Sequence, residues 1–462
     1  MKQFDIVIIG AGPAGYVGGI RAAQLGARVC LVERDEVGGV CLNKGCIPTK
    51  TLTAFVSLLD KLKVAERYGI RINGEVTVDL ETVMRRKREV VSVMVKGTRR
   101  LLSKRGVTLI SGEARFVDER TVEVAGISGN RRLSAKSFLV ATGSEPEELH
   151  ALAFDGATII SSDEALEFDA VPESVLIVGA GAIGCEFAFI FSGLGASVTV
   201  VEILERALPA EDEDVSRIME RELKKRKVTV ITGDSVASCS KDGSGVKCVL
   251  NSGREVQVAK VLVSVGRRPN TGKLGLEELG LRCGSRSEIT VTEDMQTNVR
   301  GIYAAGDVVG KRMYAHSASR EAMIAVANAL GRKLKMDYSA VPGCIFTRPE
   351  VASVGMTERE ARERRGDVKT GVFNFRSLGK AHVLDEISGM VKIVADARDE
   401  TVLGVHIVGA HASELIHEGA IAVKHGLTAG ALGETIHAHP TLSEAVMEAA
   451  EGVRGLSIHS QE

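Results

Sequence analysis

Two stretches of this sequence are copies of one pattern, and that repeat constrains the fold more than any other feature of the chain. FDIVIIGAGPAGYVGGIRAAQLGARVCLVE runs from Phe4, and SVLIVGAGAIGCEFAFIFSGLGASVTVVE runs from Ser174. Each reads as a buried apolar strand, a GxGxxG turn, a helix and a second strand ending in Glu. Gly10 and Glu33 lie 23 positions apart, and so do Gly179 and Glu202. The spacing has a chemical reason. The first glycine (Gly10, Gly179) permits a sharp turn, and the second (Gly12, Gly181) lets backbone N–H groups approach a pyrophosphate. The third (Gly15, Gly184) lets helix pack on strand. The helix N-terminus then faces the phosphate anion, and the terminal acid accepts hydrogen bonds from adenosine ribose hydroxyls. One such turn is weak evidence; two complete βαβ units predict two dinucleotide sites.

Two sites in one chain suggest a flavin in the first and a nicotinamide in the second. Glu202 repels a 2′-phosphate and favours NAD over NADP, a bias tempered by Arg206 four residues on. FLVATGSEPE (Phe138 to Glu147) reads as a strand ending in ATG, and TNVRGIYAAGDVVG (Thr297 to Gly310) as a strand ending in Gly306-Asp307. Both return the chain to the first nucleotide domain, which places Asp307 near a ribitol hydroxyl or the pyrophosphate; the plain alternative is an Asp in a turn after a strand. MYAHSASREAMIAVANAL then reads as a helix whose N-terminus faces the flavin ring. From about residue 336, strands around VKIVAD and VLGVHIVGA followed by helices read as a separate αβ domain suited to an interface. The expected architecture is α/β, with two Rossmann-like dinucleotide-binding domains and a C-terminal αβ dimerisation domain. The expected divisions are 1–145 for FAD, 146–265 for NAD, 266–335 completing the FAD site, and 336–462 for the interface.

Composition removes several function classes. The 462 residues carry 59 basic and 60 acidic side chains, a formal charge of −1, so nothing global argues for nucleic acid or an acidic membrane surface. MRRKRE (Met84 to Glu89) is locally basic, but Leu80, Val83, Met84, Val91 and Met94 recur at helical spacing behind an Asp79 cap. The basic residues are therefore expected on the solvated face. No apolar stretch approaches the ~20 residues needed to span a bilayer. The first strand begins close to Met1, which leaves no room for a leader and points to a cytoplasmic protein. The eight cysteines (Cys30, Cys41, Cys46, Cys185, Cys239, Cys248, Cys283 and Cys344) are mostly isolated in apolar runs, as small core residues.

GGVCLNKGCIPTK (Gly38 to Lys50) holds the exception, a close pair in a setting where such pairs bind metal or exchange electrons. A metal site needs about four ligands, and no second close pair lies nearby, so no metal is expected. On a regular helix, residues five apart have Cα atoms about 8–9 Å apart, whereas a disulfide needs under about 7 Å. A bond between Cys41 and Cys46 therefore requires a distorted segment, which Gly38, Gly39, Gly45 and Pro48 make feasible. Such a local bridge would be redox-labile.

The motifs GAGPAGY, GGVCLNKGCIPTK, ATGS, GAGAIGCEFA, VGRRPNT, GIYAAGD, GAHASELIHE and HAHPTLSE occur in an order that resembles the flavin disulfide oxidoreductase family over essentially the whole chain. Within it, the likeness is greatest to the branch that oxidises dihydrolipoamide with NAD⁺. The resemblance implies that Cys41 exchanges with substrate sulfur and that Cys46 lies beside the flavin. It puts Lys50 near flavin N5 with Glu186 as its carboxylate partner, since a buried ammonium needs a counter-charge. It makes His439 the base that takes the substrate thiol proton, with Glu444 orienting the imidazole. Two plain readings compete. Thr441-Leu442-Ser443-Glu444 is a capping-box pattern, and His437 is an equal base on sequence alone; only the family pattern prefers His439. The resemblance further marks Glu33, Ala114, Thr142, Gly143, Ser144, Glu202, Val236, Gly266, Arg267, Asp307, Met313, Ala315 and His316 as cofactor-binding, for FAD and NAD together, alongside the loop glycines. It implies a homodimer in which the histidine reaches the other subunit's disulfide, and lipoyl domains of 2-oxo acid dehydrogenase or glycine-cleavage complexes as partners.

Departures and rivals bear on that reading. Lys44 stands between the cysteines where the family commonly has an apolar residue, and is expected to point to solvent. Thr49 replaces a usual serine, and Cys185 and Arg348 are less usual. A glutathione-reductase-like function is disfavoured by Glu202 and by the absence of PKK after the second cysteine. A mercuric-reductase-like function needs a C-terminal cysteine pair, whereas this chain ends GLSIHSQE. Transhydrogenases of the family lack the first cysteine of the pair.

Overall fold

Residues Ile6 to Ile9 and Val29 to Val32 are buried throughout, with Val7, Ile8, Cys30 and Leu31 fully so. Runs buried on both faces are the mark of a parallel sheet covered on each side, and that is what they form. In the computed structural model, which describes residues 3–126, 129–243 and 245–460, Gln3–Ile9 pairs parallel with Val29–Glu33 and with Arg131–Val140. The last two residues of the GLSIHSQE tail lie outside the described residues.

The chain divides into two compact units. One comprises Met1–Leu52, Asp79–Glu147 and Gly266–Asp337; the other comprises Thr53–Val78, Glu148–Val265 and Tyr338–Glu462. The first is built on a seven-stranded sheet in which Thr108–Ser111, Val29–Glu33, Gln3–Ile9 and Arg131–Val140 are successive parallel neighbours. Thr121–Ala125 and Glu113–Asp118 continue it antiparallel, and Ile302–Ala304 adds parallel to the end of Arg131–Val140. The ATG and GIYAAGD segments thus leave neighbouring strands at the same edge as the first glycine turn. Phe116 and Phe138 meet edge-on at 5.2 Å in the core beneath it. Each such side chain, fully buried, contributes about 1.5–3 kcal/mol.

The second unit repeats the pattern and adds a new layer. Thr229–Thr232, Ser197–Glu202, Ser174–Val178, Lys260–Val263 and Ile159–Ile160 form a five-stranded parallel sheet. Val236–Asp242, Gly245–Leu250 and Glu255–Val258 form a small antiparallel sheet packed against its core. A five-stranded antiparallel sheet follows, in the order Gly343–Ile345, Glu350–Gly355, Val402–Gly409, Met390–Asp396 and Val368–Asn374. Its core includes Val446, Ala449 and Ala450 of the helix Glu444–Val453. VKIVAD and VLGVHIVGA are adjacent central strands here.

The structure departs from expectation in two places. Asp79 caps the helix Leu80–Lys104 by accepting Thr82 N–H, as the sequence predicts, but Lys87 of MRRKRE is buried while Arg85, Arg86 and Arg88 are exposed. Helical geometry puts position 87 three residues from Met84 on the inner stripe, so its stem packs with the apolar residues. Cys239 and Cys248 are the second departure: they are joined in a disulfide.

Within the second unit a buried ion cluster replaces apolar packing. Lys392 Nζ lies 2.8 Å from Asp212, 2.6 Å from Asp214 and 2.7 Å from Glu358, with its side chain 3% exposed. Burial opposes the charged forms, yet the hydrogen bonds win: Lys392 is held above its ordinary value, and Asp212 and Glu358 below theirs. Stability from the carboxylates is present above their unfolded values near 4 and is lost as pH falls through the lower folded ones. The lysine's share is present below about 10.5 and is lost above it. Lys392→Met should therefore cost roughly 3–5 kcal/mol at neutral pH, with the deficit shrinking as the pH approaches 3. Denaturant melts across pH check it.

Candidate active site

The two glycine turns share one backbone geometry. Gly10 has φ +99° and Gly179 φ +101°, values that disfavour a side chain. A Cβ on Gly15 would lie 1.8 Å from the Gly10 carbonyl oxygen, and one on Gly184 would lie 1.9 Å from the Gly179 oxygen. The third glycine is thus required by the closing of the turn as well as by helix packing. The terminal acids also repeat. Glu33 accepts N–H bonds from Ala11 (2.6 Å) and Asp35 (2.8 Å); Glu202 accepts them from Ala180 (2.7 Å) and Leu204 (3.0 Å). Each carboxylate holds the glycine loop and keeps lone pairs for further donors. The helices Pro13–Gln24 and Ala182–Gly193 begin at Gly12 and Gly181 with no side-chain cap, so their first N–H groups are open to an anion. Arg206 is engaged elsewhere, with Glu213 and the Pro209 and Glu211 carbonyls, and does not offset Glu202.

The cysteine segment is fastened to the first of these loops. Gly38 N–H donates to Ala11 O at 2.8 Å, and Gly39, at φ +56°, packs where a Cβ would meet Gly12 Cα at 2.7 Å. The expected distortion is present: Gly39–Asn43 is one short helix, Lys44 breaks it at φ −136°, and a new helix begins at Cys46. Cys41 and Cys46 stand as two thiols in hydrogen-bond contact. That bond and burial raise the Cys41 thiol well above its ordinary value, with Lys50 opposing and Asp307 adding to the rise. Thr49 Oγ1 donates to Gly45 O at 2.7 Å and Asn43 Nδ2 to Gly39 O at 2.9 Å, which fixes the break. Lys44, expected in solvent, is half exposed and pairs with Asp35 at 3.8 Å.

Asp307 follows Ile302–Ala304 and accepts the Ser144 hydroxyl at 2.5 Å. Arg267 Nε donates to that hydroxyl at 2.7 Å and its Nη2 to Ser144 O at 2.9 Å. The Arg267 guanidinium thus braces Ser144 and Asp307 within the first unit. Thr142 Oγ1 donates to Asn270 O at 2.7 Å, tying the ATG turn to RRPN, where Gly143 (φ +70°) and Gly266 (φ +144°) turn the chain. Ala114 is buried on Glu113–Asp118, and Val236 opens the small antiparallel sheet of the second unit. Met313 precedes the helix that starts at Ala315, where the His316 ring stacks on Tyr314 at 5.2 Å. Sequence reasoning missed two residues. Ser317, 2% exposed, carries a buried hydroxyl with no partner, in the first turn of that uncapped helix. Tyr16, directly after GAGPAG, has its phenol raised by burial and by Cys41 and Cys46; only its adjacency to the glycine motif could have flagged it. The uncapped helix starts, the glycine cradle and the orphaned Ser317 hydroxyl fit FAD in the first unit.

The two histidines of the second unit stand in different surroundings. His437 is nearly buried, with Nε2 3.0 Å from Glu418 and Nδ1 2.7 Å from Thr435 O. His439 is 78% exposed, with Nδ1 2.9 Å from Glu444 Oε1. With Nδ1–H given to the carboxylate, Nε2 keeps its lone pair and faces outward. Burial alone would raise Glu444, but the Thr441 N–H (2.8 Å) and His439 hold it below its ordinary value, so it stays anionic. The capping box is half formed: Glu444 reaches back to Thr441 N–H, while Thr441 Oγ1 turns to Ala438 O. Glu186 is buried, and one oxygen accepts Phe346 N–H at 2.9 Å. Arg348 donates to Ser57 O and pairs with Glu386 at 3.2 Å.

Residues 4–322 match the family described as pyridine nucleotide-disulphide oxidoreductase, and residues 341–450 match the dimerisation domain of the same family. The dihydrolipoyl dehydrogenase of Bacillus subtilis is 40% identical over 98% of this chain and 100% of its own length. That of Thermus scotoductus is 41% identical over 99% of each. Among solved structures, LpdA of Mycobacterium tuberculosis superposes with a TM-score of 0.91 at 30% identity, covering 98% of this chain and 99% of that one. The HOCl-induced flavoprotein disulfide reductase RclA of Escherichia coli, as its Cu(II) complex, gives 0.88 at 27% identity, covering 98% and 99%.

Two substitutions separate the loops. Gly15→Ala should yield protein without bound flavin, read from its visible absorbance, because the Cβ collides with backbone. Glu202→Ala should lower the ratio of kcat/KM for NAD⁺ over NADP⁺ roughly tenfold, whereas Arg206→Ala should leave that ratio unchanged.

Proposed function

The chain belongs to the pyridine nucleotide-disulphide oxidoreductase family, and on that premise we propose that it oxidises protein-bound dihydrolipoamide to lipoamide and reduces NAD⁺. The observation that carries this reading is the pair of contacting thiols on a broken helix, secured by backbone to the phosphate loop of a nucleotide fold. FAD, which the Gly10–Gly15 loop and Glu33 would hold, would supply the two-electron redox chemistry that links the cysteine pair to NAD⁺. The protein's part is thiol chemistry. His439 Nε2 takes the proton of one dihydrolipoyl thiol, and Glu444 steadies the imidazolium that results. The substrate thiolate attacks Cys41 Sγ of the oxidised pair, and Cys46 leaves as thiolate. The second substrate thiol, passing its proton to His439 as the first proton moves on to Cys41, attacks the first sulfur; the lipoyl disulfide closes and Cys41 departs as a thiol. The base is needed for the substrate, whose thiol must lose its proton before its sulfur can attack.

The same reading divides the chain into an FAD domain (1–145), an NAD domain (146–265), a segment completing the FAD site (266–335) and an interface domain (336–462). It makes the enzyme a cytoplasmic homodimer in which His439 serves the partner's cysteine pair. Ile436, 97% exposed three residues before His439, supports a covering partner at this surface. Its substrate carriers are the lipoyl domains of 2-oxo acid dehydrogenase or glycine-cleavage complexes.

Steady-state assays discriminate. Rapid NAD⁺ reduction by dihydrolipoamide is expected, and faster NADPH-driven reduction of glutathione disulfide or Hg²⁺ would replace this reading with a related reductase. Cys41→Ser and Cys46→Ser should each lower dihydrolipoamide turnover roughly 10³-fold or more. His439→Gln should slow it far more than NADH oxidation by artificial acceptors, while His437→Gln should act on stability first.

A further inference from the structure

Outside the proposed chemistry, one pair of sulfurs has no assigned role. Cys239 on Val236–Asp242 and Cys248 on Gly245–Leu250 are directly opposed across an antiparallel pair, with Cα atoms 4.2 Å apart and the sulfurs bonded. Both belong to the second unit, whereas the catalytic pair belongs to the first. Directly opposed residues at this spacing put both Cβ atoms on one face of the sheet, so the pair meets whether oxidised or not. The face is the inner one. Cys248 is fully buried with Val246, Leu250 and Val258 against Leu176, Val178 and Val201 of the parallel sheet, and Cys239 packs at the edge of that cluster, partly exposed. The strand carrying Cys239 begins at Val236 and has a register shift between Val236 and Ser238, so the bond lies just beyond the irregular turn of pairing.

We propose that Cys239 and Cys248 are a second thiol–disulfide couple, formed by low-molecular-weight disulfides and separate from catalysis, that locks the antiparallel sheet of the second unit. The steps balance. The partly exposed Cys239, as thiolate, attacks a disulfide R–S–S–R, forms Cys239–S–S–R and releases one R–SH, which carries the cysteine's proton. Cys248, held opposite, attacks Cys239 Sγ and releases the second R–SH. Two cysteine thiols lose two electrons and two protons, and one small disulfide gains them. Order follows from access: only Cys239 meets the solvent, and only Cys248 is placed to resolve it. The bond closes a nine-residue separation, which restricts the unfolded chain and favours the paired sheet.

The test uses the full-length flavoenzyme. It is incubated with glutathione disulfide, freed of it, reduced anaerobically with NADH alone, then denatured and alkylated. Trypsin cuts after Lys241 and Lys247, so a surviving bond joins two peptides. The expected map shows Cys239 bound to Cys248 while Cys41 and Cys46 are alkylated, and the bond opens only with dithiothreitol. The oxidised form should melt roughly 5 °C above the dithiol form. Cys239→Ala/Cys248→Ala should abolish that difference and retain turnover. Recovery of both cysteines alkylated after glutathione disulfide overturns the proposal, as does a bond that forms without raising the melting point. Neither outcome depends on which dithiol the enzyme oxidises.

Discussion

The first unit is organised around the backbone of residues 10–15, where a glycine Cα faces the carbonyl oxygen of the turn that precedes it. A side chain at Gly15 would meet that oxygen at 1.8 Å, so the turn closes only with glycine, and everything near it takes its position from the closed turn. Glu33 holds the loop through Ala11 N–H, and Ala11 in turn accepts Gly38 N–H, which starts the segment bearing Cys41 and Cys46. Two hydrogen bonds, one to the Glu33 carboxylate and one between backbones, thus tie the glycine loop to the segment that bears the two cysteines. Positions set by backbone are stiff, and stiffness is what a site needs if sulfur must stay aligned for electron transfer.

Electrostatics assigns the remaining roles. The thiol pair suppresses ionisation of Cys41, and Lys50 only partly offsets this. In the second unit the exposed imidazole of His439 is backed by an anionic Glu444. Where charge is buried for structure instead, as at Lys392, three carboxylates surround one ammonium. The contrast between His437, tied at both nitrogens, and His439, tied at one, is the same distinction on a smaller scale.

Much of this was legible from residues alone. The βαβ repeat specified both parallel sheets, because runs of buried residues and glycine spacing are properties of local sequence. The break between the cysteines was legible too, since five residues of regular helix hold Cα atoms too far apart. Other features depend on residues distant in sequence. Arg267 turned to Ser144 and Asp307, far earlier and later in the chain, and its motif carries no sign of that. Cys239 and Cys248 looked like isolated core thiols until strand register set them opposite each other. Ser317 is an ordinary serine until its burial shows a hydroxyl without a partner.

The central claim is that Cys41 and Cys46 accept the substrate's electrons in distinct roles, Cys41 by sulfur exchange and Cys46 as the inner thiol. The most direct measurement is anaerobic treatment of the oxidised enzyme with one equivalent of dihydrolipoamide, followed by iodoacetamide and peptide mapping. The account predicts alkylation of Cys41 first, with Cys46 protected and later dihydrolipoamide turnover lost. Alkylation of Cys46 ahead of Cys41, or of neither, would contradict it.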